Sequence, residues 1–301
     1  MTYSAEELGA KMDALGVWEL LEPYNFAVKP KGTVFPYFCT ALKGERKPVK
    51  VRFLMLEGWQ TLHDFVHTRF DNNFGFYSTP AEMPHLELVV VEGGAPVLFR
   101  HDPGYMPQPA TDAQRALAER ILWEAFGVML RVEADRQLPL KFSEERAIFA
   151  RVEKEKGVWV DEPLVIPDPP PHVEKISFPK SDVKKAADLP FATEDAFEVD
   201  FGIVQGVMTK DPRPRAVYAL VAVDAKTGER LVDARTSISP DGGLRSLWES
   251  MPPQFLRELI RIGRVPGEVK VRSLRMFRML RPLCDELPFK LSVHDKLERL
   301  P

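Results

Sequence analysis

The chain has 301 residues, which is long for one hydrophobic core and suits two domains of about 100–200 residues each. Its net charge of −3 argues against a protein built wholly around nucleic acid, although a local basic patch is compatible with it. No secretion signal is visible in the first residues, which are polar, and no apolar run approaches the roughly 18 residues of a membrane span. Two distant cysteines, Cys39 and Cys284, favour free thiols in a reducing compartment. We therefore expect a cytoplasmic protein with no membrane partner.

The first predicted domain, residues 1–160, groups strands together with helices around them. Two capping boxes, Ser4 with Glu7 and Thr111 with Gln114, predict the starts of two amphipathic helices. Between these helices lie further predicted elements: strands at 24–30, 33–42 and 48–58, a helix at 59–71, and a hairpin over 85–101. This pattern is typical of an α+β domain.

A proline-rich linker is predicted at residues 161–190. The chain has 27 prolines, and five of them fall within the eleven residues "DEPLVIPDPPP". Proline fixes φ and drives the preceding residue into extended conformations, so this composition indicates a stiff spacer between the domains.

The second predicted domain, residues 191–301, has the clearer order of elements. Three strand patterns come first, and the middle one, "RAVYALVAVD", is apolar on both faces and therefore central. A helical stretch follows, which Pro252 and Pro253 are expected to divide by starting a second helix. A short strand, a helix and a last strand complete the predicted order β-β-β-α-β-α-β, in a mixed sheet with helices.

This order resembles the ribonuclease H-like core of integrases and transposases. The stretches "EVDFGIV" and "RAVYALVAVDAKTGERLVDA" resemble its first strands. The chain also resembles a group of bacterial two-domain proteins of unknown function, through "DPGYMPQPATDAQRALAERILWEAFGV" and "RSLRMFRMLRPLCDELPFKLSVHDKLERLP". The second likeness implies no activity.

The resemblance implies a place for metal-binding carboxylates, which nucleases of this fold use to hold two ions. Asp200 fits the place on the first strand, but Ser273 stands where the fourth strand needs an aspartate. The third place is on a helix after the fifth strand, and Glu298 is its only plausible acid. One carboxylate holds Mg²⁺ poorly, because the ion is shared among several oxygen ligands. We therefore expect no catalytic residues; a nuclease, if present, would use Asp200 and Asp224.

Asp224 has a structural alternative. It begins the loop "DAKTGE" between two strands, and aspartate accepts hydrogen bonds from backbone groups two residues on. Gly228 can supply the left-handed residue of a bulged hairpin. The sequence favours Asp224 as a turn residue.

Two further groups of residues are weaker candidates. His63 and His67 have the i, i+4 spacing of paired zinc ligands, yet no third ligand is obvious, so surface histidines are the simpler interpretation. Arginines recur at three-residue spacing in the last helix and could bind an anionic partner; they are Arg272, Arg275, Arg278 and Arg281. The alternative is a solvated helix edge, because this spacing winds around the helix.

The sequence as a whole favours a non-enzymatic binding protein with a degenerate ribonuclease H-like domain. We expect no cofactor and a macromolecular partner whose identity the sequence leaves open. The alternatives are a metal-dependent nuclease or phosphoryl-transfer enzyme, and nucleic-acid binding through the arginine-rich helices.

Overall fold

The computed structural model describes residues 3–17, 19, 26–44, 47–70, 80–141, 146–168, 175–239 and 241–300, with the backbone alone at 67–70, 140 and 141. The chain forms two compact units. The first comprises Met1–Phe65, Thr79–Asp102 and Pro107–Pro170, and the second comprises Val66–Ser78, Pro103–Met106 and Pro171–Pro301. Both units combine helices with a mixed sheet, so the α+β class is confirmed.

The first unit is built on an eight-stranded sheet. Its strands are β1 (Phe26–Lys29), β2 (Tyr37–Lys43), β3 (Val49–Glu57), β4 (His85–Val91), β5 (Val97–His101), β6 (Gln108–Pro109), β7 (Ala147–Glu153) and β8 (Trp159–Val165). They lie in the order β6-β5-β4-β3-β2-β1-β7-β8, and all neighbours are antiparallel except β1 and β7. The helices are α1 (Ala5–Leu15), α2 (Trp59–Phe70), α3 (Asp112–Ala134) and α4 (Leu138–Lys141).

Alternation along the strands divides this sheet into two buried faces. Odd-numbered residues of β3, such as Phe53 and Met55, join the core with α1 and α3. Leu54 and Leu56 are equally buried but point to the other face, because successive strand side chains alternate. Both predicted capping boxes are confirmed, at the starts of α1 and α3.

The second unit is built on a five-stranded sheet. Its strands are β9 (Phe191–Met208), β10 (Ala216–Asp224), β11 (Arg230–Thr236), β12 (Val265–Val271) and β13 (Lys290–Val293), in the order β11-β10-β9-β12-β13. The strand β10 is antiparallel to both of its neighbours, β9 and β11, whereas β9, β12 and β13 are parallel. The helices are α5 (Lys180–Ala187), α6 (Leu244–Ile262) and α7 (Leu274–Leu280). Apolar residues of α6 and α7 pack on the face that carries Phe197 and Val199.

Two details differ from the sequence-based expectations. The helix α6 continues through Pro252 and Pro253 instead of being divided by them. It tolerates the missing N–H groups because its apolar stripe, with Met251 and Phe255 fully buried, holds both halves against one core. Part of the predicted linker is regular structure, since β8 reaches Val165 and α5 begins at Lys180. Proline is compatible with β8 because this is an edge strand.

Candidate functional site

Asp200 lies on the long strand β9, on the sheet face opposite the helices of the second unit. Phe197 and Val199 point toward the helices, so Glu198 and Asp200 point the other way. The carboxylate of Asp200 is paired with the guanidinium of Arg272, which follows β12. Together with Arg230 and Leu300 the pair lines a pocket of about 190 Å³. The predicted acid is thus held in an ion pair.

Asp224 ends β10 and organises the turn that follows. Its Oδ1 accepts hydrogen bonds from the backbone N–H groups of Lys226 (2.9 Å) and Thr227 (2.8 Å), and Gly228 has the expected positive φ of 75°. The hydrogen bond from Thr227 is the main cause that lowers the pKa of Asp224, and Arg264, with its Nη2 3.6 Å from Oδ2, lowers it further. Asp224 is therefore a turn residue.

The structure does not bring Asp200 and Asp224 together. Asp200 pairs with Val221 across the β9–β10 ladder, and Asp224 pairs with Phe197, which faces the helices. The two carboxylates consequently lie on opposite faces of the sheet and cannot share one ion. Ser273, which stands where the fourth strand would need an aspartate, caps α7 by accepting a hydrogen bond of 3.1 Å from the N–H of Met276.

Glu198 is a site that the sequence analysis missed. Its buried carboxylate accepts hydrogen bonds from the backbone N–H groups of Glu298 (3.0 Å), Arg299 (2.7 Å) and Leu300 (3.1 Å). Leu297 and Leu300 pack beside it on Val223, on the same face as Asp200. The carboxylate on the first strand thus anchors the C-terminal segment, and a charged residue between apolar strand positions was the available signal.

The four arginines of the predicted anion site differ in their exposure. Arg272 is paired with Asp200, while Arg275 is only 3% exposed and stacks over the ring of Trp248, its Cζ 3.5 Å from the centroid. Arg278 is half-buried and Arg281 is exposed. Arg275 and Arg278 lie in α7, whereas Arg272 precedes this helix and Arg281 follows it, so a phosphate-bearing partner could reach the exposed ones but not Arg275.

The predicted histidine pair is only partly described. His63 lies on α2, and its Nε2 is 2.9 Å from the carbonyl oxygen of Pro167. The side chain of His67 lies outside the described residues, so their pairing stays a prediction.

A second histidine cluster, formed by His85, Glu87 and His101, lies inside the first unit. Within the described part of the chain, these three are the His, Cys, Asp or Glu side chains whose ligand atoms converge, all lying within 4.8 Å of one another. All three are buried, at 0%, 3% and 5% exposure. The sequence signal was the pair His85 and Glu87, which are two residues apart and therefore on one face of β4.

The three side chains of the cluster are in close contact, and their contacts shift the pKa values of His85 and Glu87. The rings of His85 and His101 stack with centroids 4.0 Å apart, and His101 Nε2 lies 2.6 Å from Glu87 Oε2. Burial, reinforced by repulsion from His101, lowers the pKa of His85 to about 3. Burial alone would raise the pKa of Glu87, but contacts with His101 and Arg52 outweigh it and lower that pKa. The cluster thus holds a neutral imidazole beside a charged carboxylate.

Comparison with known proteins gives one finding. Residues 182–301 match the family described as a domain of unknown function (DUF6930). The match spans α5 to the end of the chain, which is consistent with the expected likeness to an uncharacterised family. No curated protein matches the chain, and no solved structure matches it.

The structure also bears on membrane association. Across the residues that it describes, none of the helices has both the length and the apolar sequence that a membrane span requires.

Proposed function

We propose that the protein is a non-catalytic cytoplasmic binding protein whose second unit has a degenerate ribonuclease H-like frame. The frame is supported by the sheet itself, in which three antiparallel strands are followed by two that run parallel to the first. The free thiols of Cys39 and Cys284 support a reducing compartment.

One observation carries the non-catalytic part of the proposal: the acids of the frame are engaged in structural contacts on different faces. Asp200 is paired with Arg272, Glu198 anchors the C-terminal segment, and Asp224 caps a turn. A two-metal nuclease needs carboxylates that converge on the ions. Among the described residues, Asp200 belongs to no such converging group.

The proposal is tested by incubating the full chain with labelled single- and double-stranded DNA and RNA in Mg²⁺ or Mn²⁺. The matched control is Asp200→Asn, which keeps the shape of the side chain and removes its charge. We expect equal, background-level cleavage from both proteins. Cleavage by the wild type that the variant lacks would establish the nuclease alternative.

The binding partner in this proposal could be a nucleic acid that is bound without cleavage. The exposed Arg281 and the partly exposed Arg272 support this form of the proposal. Affinity would then fall steeply between about 50 and 200 mM salt, because phosphate contacts release counterions. A double variant, Arg272→Gln with Arg281→Gln, would reduce that salt dependence. Binding that is absent at both salt concentrations would leave a protein as the macromolecular partner.

A further inference from the structure

The cluster in the first unit is assembled by strand pairing. His85 and Glu87 occupy alternate positions of β4, and His101 on β5 lies directly opposite His85 in the antiparallel ladder. The apolar neighbours Leu86 and Leu88 point into the core with α1 and α3. Pairing and pleat together therefore bring two imidazoles and one carboxylate to one point of the opposite sheet face.

The two histidine rings of this cluster are not fully satisfied by hydrogen bonds from the protein. His85 Nε2 and both nitrogens of His101 are buried without a hydrogen bond. Of these, His101 Nε2 does contact a carboxylate oxygen, Oε2 of Glu87 at 2.6 Å, so His85 Nε2 and His101 Nδ1 are the two nitrogens that the described residues leave unpartnered. Burying a polar atom without a partner is costly, so these nitrogens need a ligand that the protein itself does not supply.

Hydrogen bonds to residues outside the cluster leave Nε2 of His85 and Oε2 of Glu87 facing the other cluster residues. The Nδ1 of His85 is 2.8 Å from the carbonyl oxygen of Met83, so it carries the proton and leaves the Nε2 lone pair free. Arg52 donates to Oε1 of Glu87, which leaves Oε2 toward the histidines. Histidine and carboxylate ligands of metal ions are held in this way, with the second polar atom fixed by a backbone carbonyl or a hydrogen-bond donor.

From these observations we infer that His85, Glu87 and His101 bind one divalent transition-metal ion of the zinc class. Two imidazoles and one carboxylate form a donor set that zinc accepts, with a further position left for another ligand. The stacked rings are nearly parallel, at 15°, so their in-plane lone pairs do not yet meet at one point. Binding requires one ring to turn about χ2, a torsion with a broad energy profile.

The ion would link β4 to β5, independently of the function proposed for the second unit. Arg52 would remain beside the carboxylate, where its positive charge offsets part of the attraction for the ion. The two imidazole donors favour a nitrogen-binding ion such as Zn²⁺ over Mg²⁺ or Ca²⁺, which prefer oxygen ligands.

The test is titration of the full-length, chelator-treated protein with Zn²⁺, followed by calorimetry. We expect one Zn²⁺ to bind per protein molecule. The affinity for Zn²⁺ should fall at least tenfold in His85→Asn, Glu87→Gln and His101→Asn. His294→Asn is the matched control, because it removes a half-buried imidazole of the second unit, outside the cluster, and it should bind as the wild type does. Unchanged affinity in the three cluster variants would overturn the inference.

Substitutions in a buried cluster could unfold the strand pair, so a second measurement uses the wild type alone. Co²⁺ is added as a spectroscopic substitute for Zn²⁺, and Mg²⁺ is added separately as the oxygen-seeking comparison. A visible Co²⁺ absorption typical of tetrahedral coordination, displaced by Zn²⁺ and unaffected by Mg²⁺, is the expected result. A Co²⁺ spectrum indistinguishable from the hexaaquo ion would overturn the inference even if every variant unfolded.

Discussion

The carboxylate of Glu198 accepts a hydrogen bond of 2.7 Å from the backbone N–H of Arg299, one hundred and one residues further along the chain. The neighbouring N–H groups of Glu298 and Leu300 donate to the same carboxylate. A buried acid on the central strand thereby fixes the C-terminal segment to the sheet, on the face that also carries Asp200. In this protein, an acid that a nuclease could use for metal binding instead has a structural role.

We expect Glu198→Ala to destabilise the second unit by about 1–3 kcal/mol, because three backbone donors lose their acceptor. Urea denaturation followed by circular dichroism measures the change. Glu229→Ala is the control at an exposed position and should alter stability by less than about 0.5 kcal/mol.

The same contact can be tested by a double-mutant cycle with removal of the chain from Leu297 onward. If Glu198 acts through the C-terminal segment, Glu198→Ala should cost less in the shortened protein than in the full chain. Equal costs in both backgrounds would contradict this role.

Arg275→Ala should destabilise the protein by about 2–3 kcal/mol, because the guanidinium is buried against Trp248. Arg281→Ala removes an exposed arginine at the end of the same helical stretch and should cost less than about 0.5 kcal/mol. Urea denaturation of the two variants compares them directly. Similar small effects would mean that Arg275 is not a core contact.

Asp224→Ala should cost about 1–2 kcal/mol at neutral pH, because the N–H groups of Lys226 and Thr227 lose an acceptor. The pKa of Asp224 is lower in the folded than in the unfolded state, where it is about 4. Its stabilising contribution is therefore complete above the unfolded-state pKa and is lost as pH falls through the folded-state value.

Denaturation of the wild type and Asp224→Ala between pH 7 and pH 3 measures this dependence. The difference in unfolding free energy should shrink toward the acid end. A difference that stays constant over this range would show that the charge of Asp224 does not contribute.

Two glycine substitutions should have opposite signs. Gly104 has φ of 81°, and a Cβ there would lie 2.7 Å from Ile238 Cγ2, so Gly104→Ala should destabilise by more than about 1 kcal/mol. Gly127 lies inside α3 with open space at its Cβ position, so Gly127→Ala should stabilise by about 0.5–1 kcal/mol. Thermal denaturation distinguishes the two, and a stabilising Gly104→Ala would refute the close packing of this loop.

The features that were predicted correctly depend on residues that are adjacent in the sequence. Both capping boxes, the Asp224 turn and the hairpin over 85–101 are confirmed because each is set by a few adjacent side chains and backbone groups. It missed the hairpin of β7 and β8, because β8 carries two charges and a proline in succession, Asp161 to Pro163, a composition that resembles a loop. Pairing of β7 with β1, more than one hundred residues away, stabilises that hairpin in the sheet.

The sequence by itself determined the class of the fold, the Asp224 turn and the two helix caps, because periodicity and capping depend on residues that are close together in the sequence. Only the tertiary structure decided which charged groups meet. Asp200 and Asp224 lie on opposite faces of the sheet. Glu198 accepts a hydrogen bond from Arg299, and His85 lies opposite His101 in the pairing of two strands. Register and face are fixed by long-range strand pairing, and one residue of slip would reverse every one of these relations.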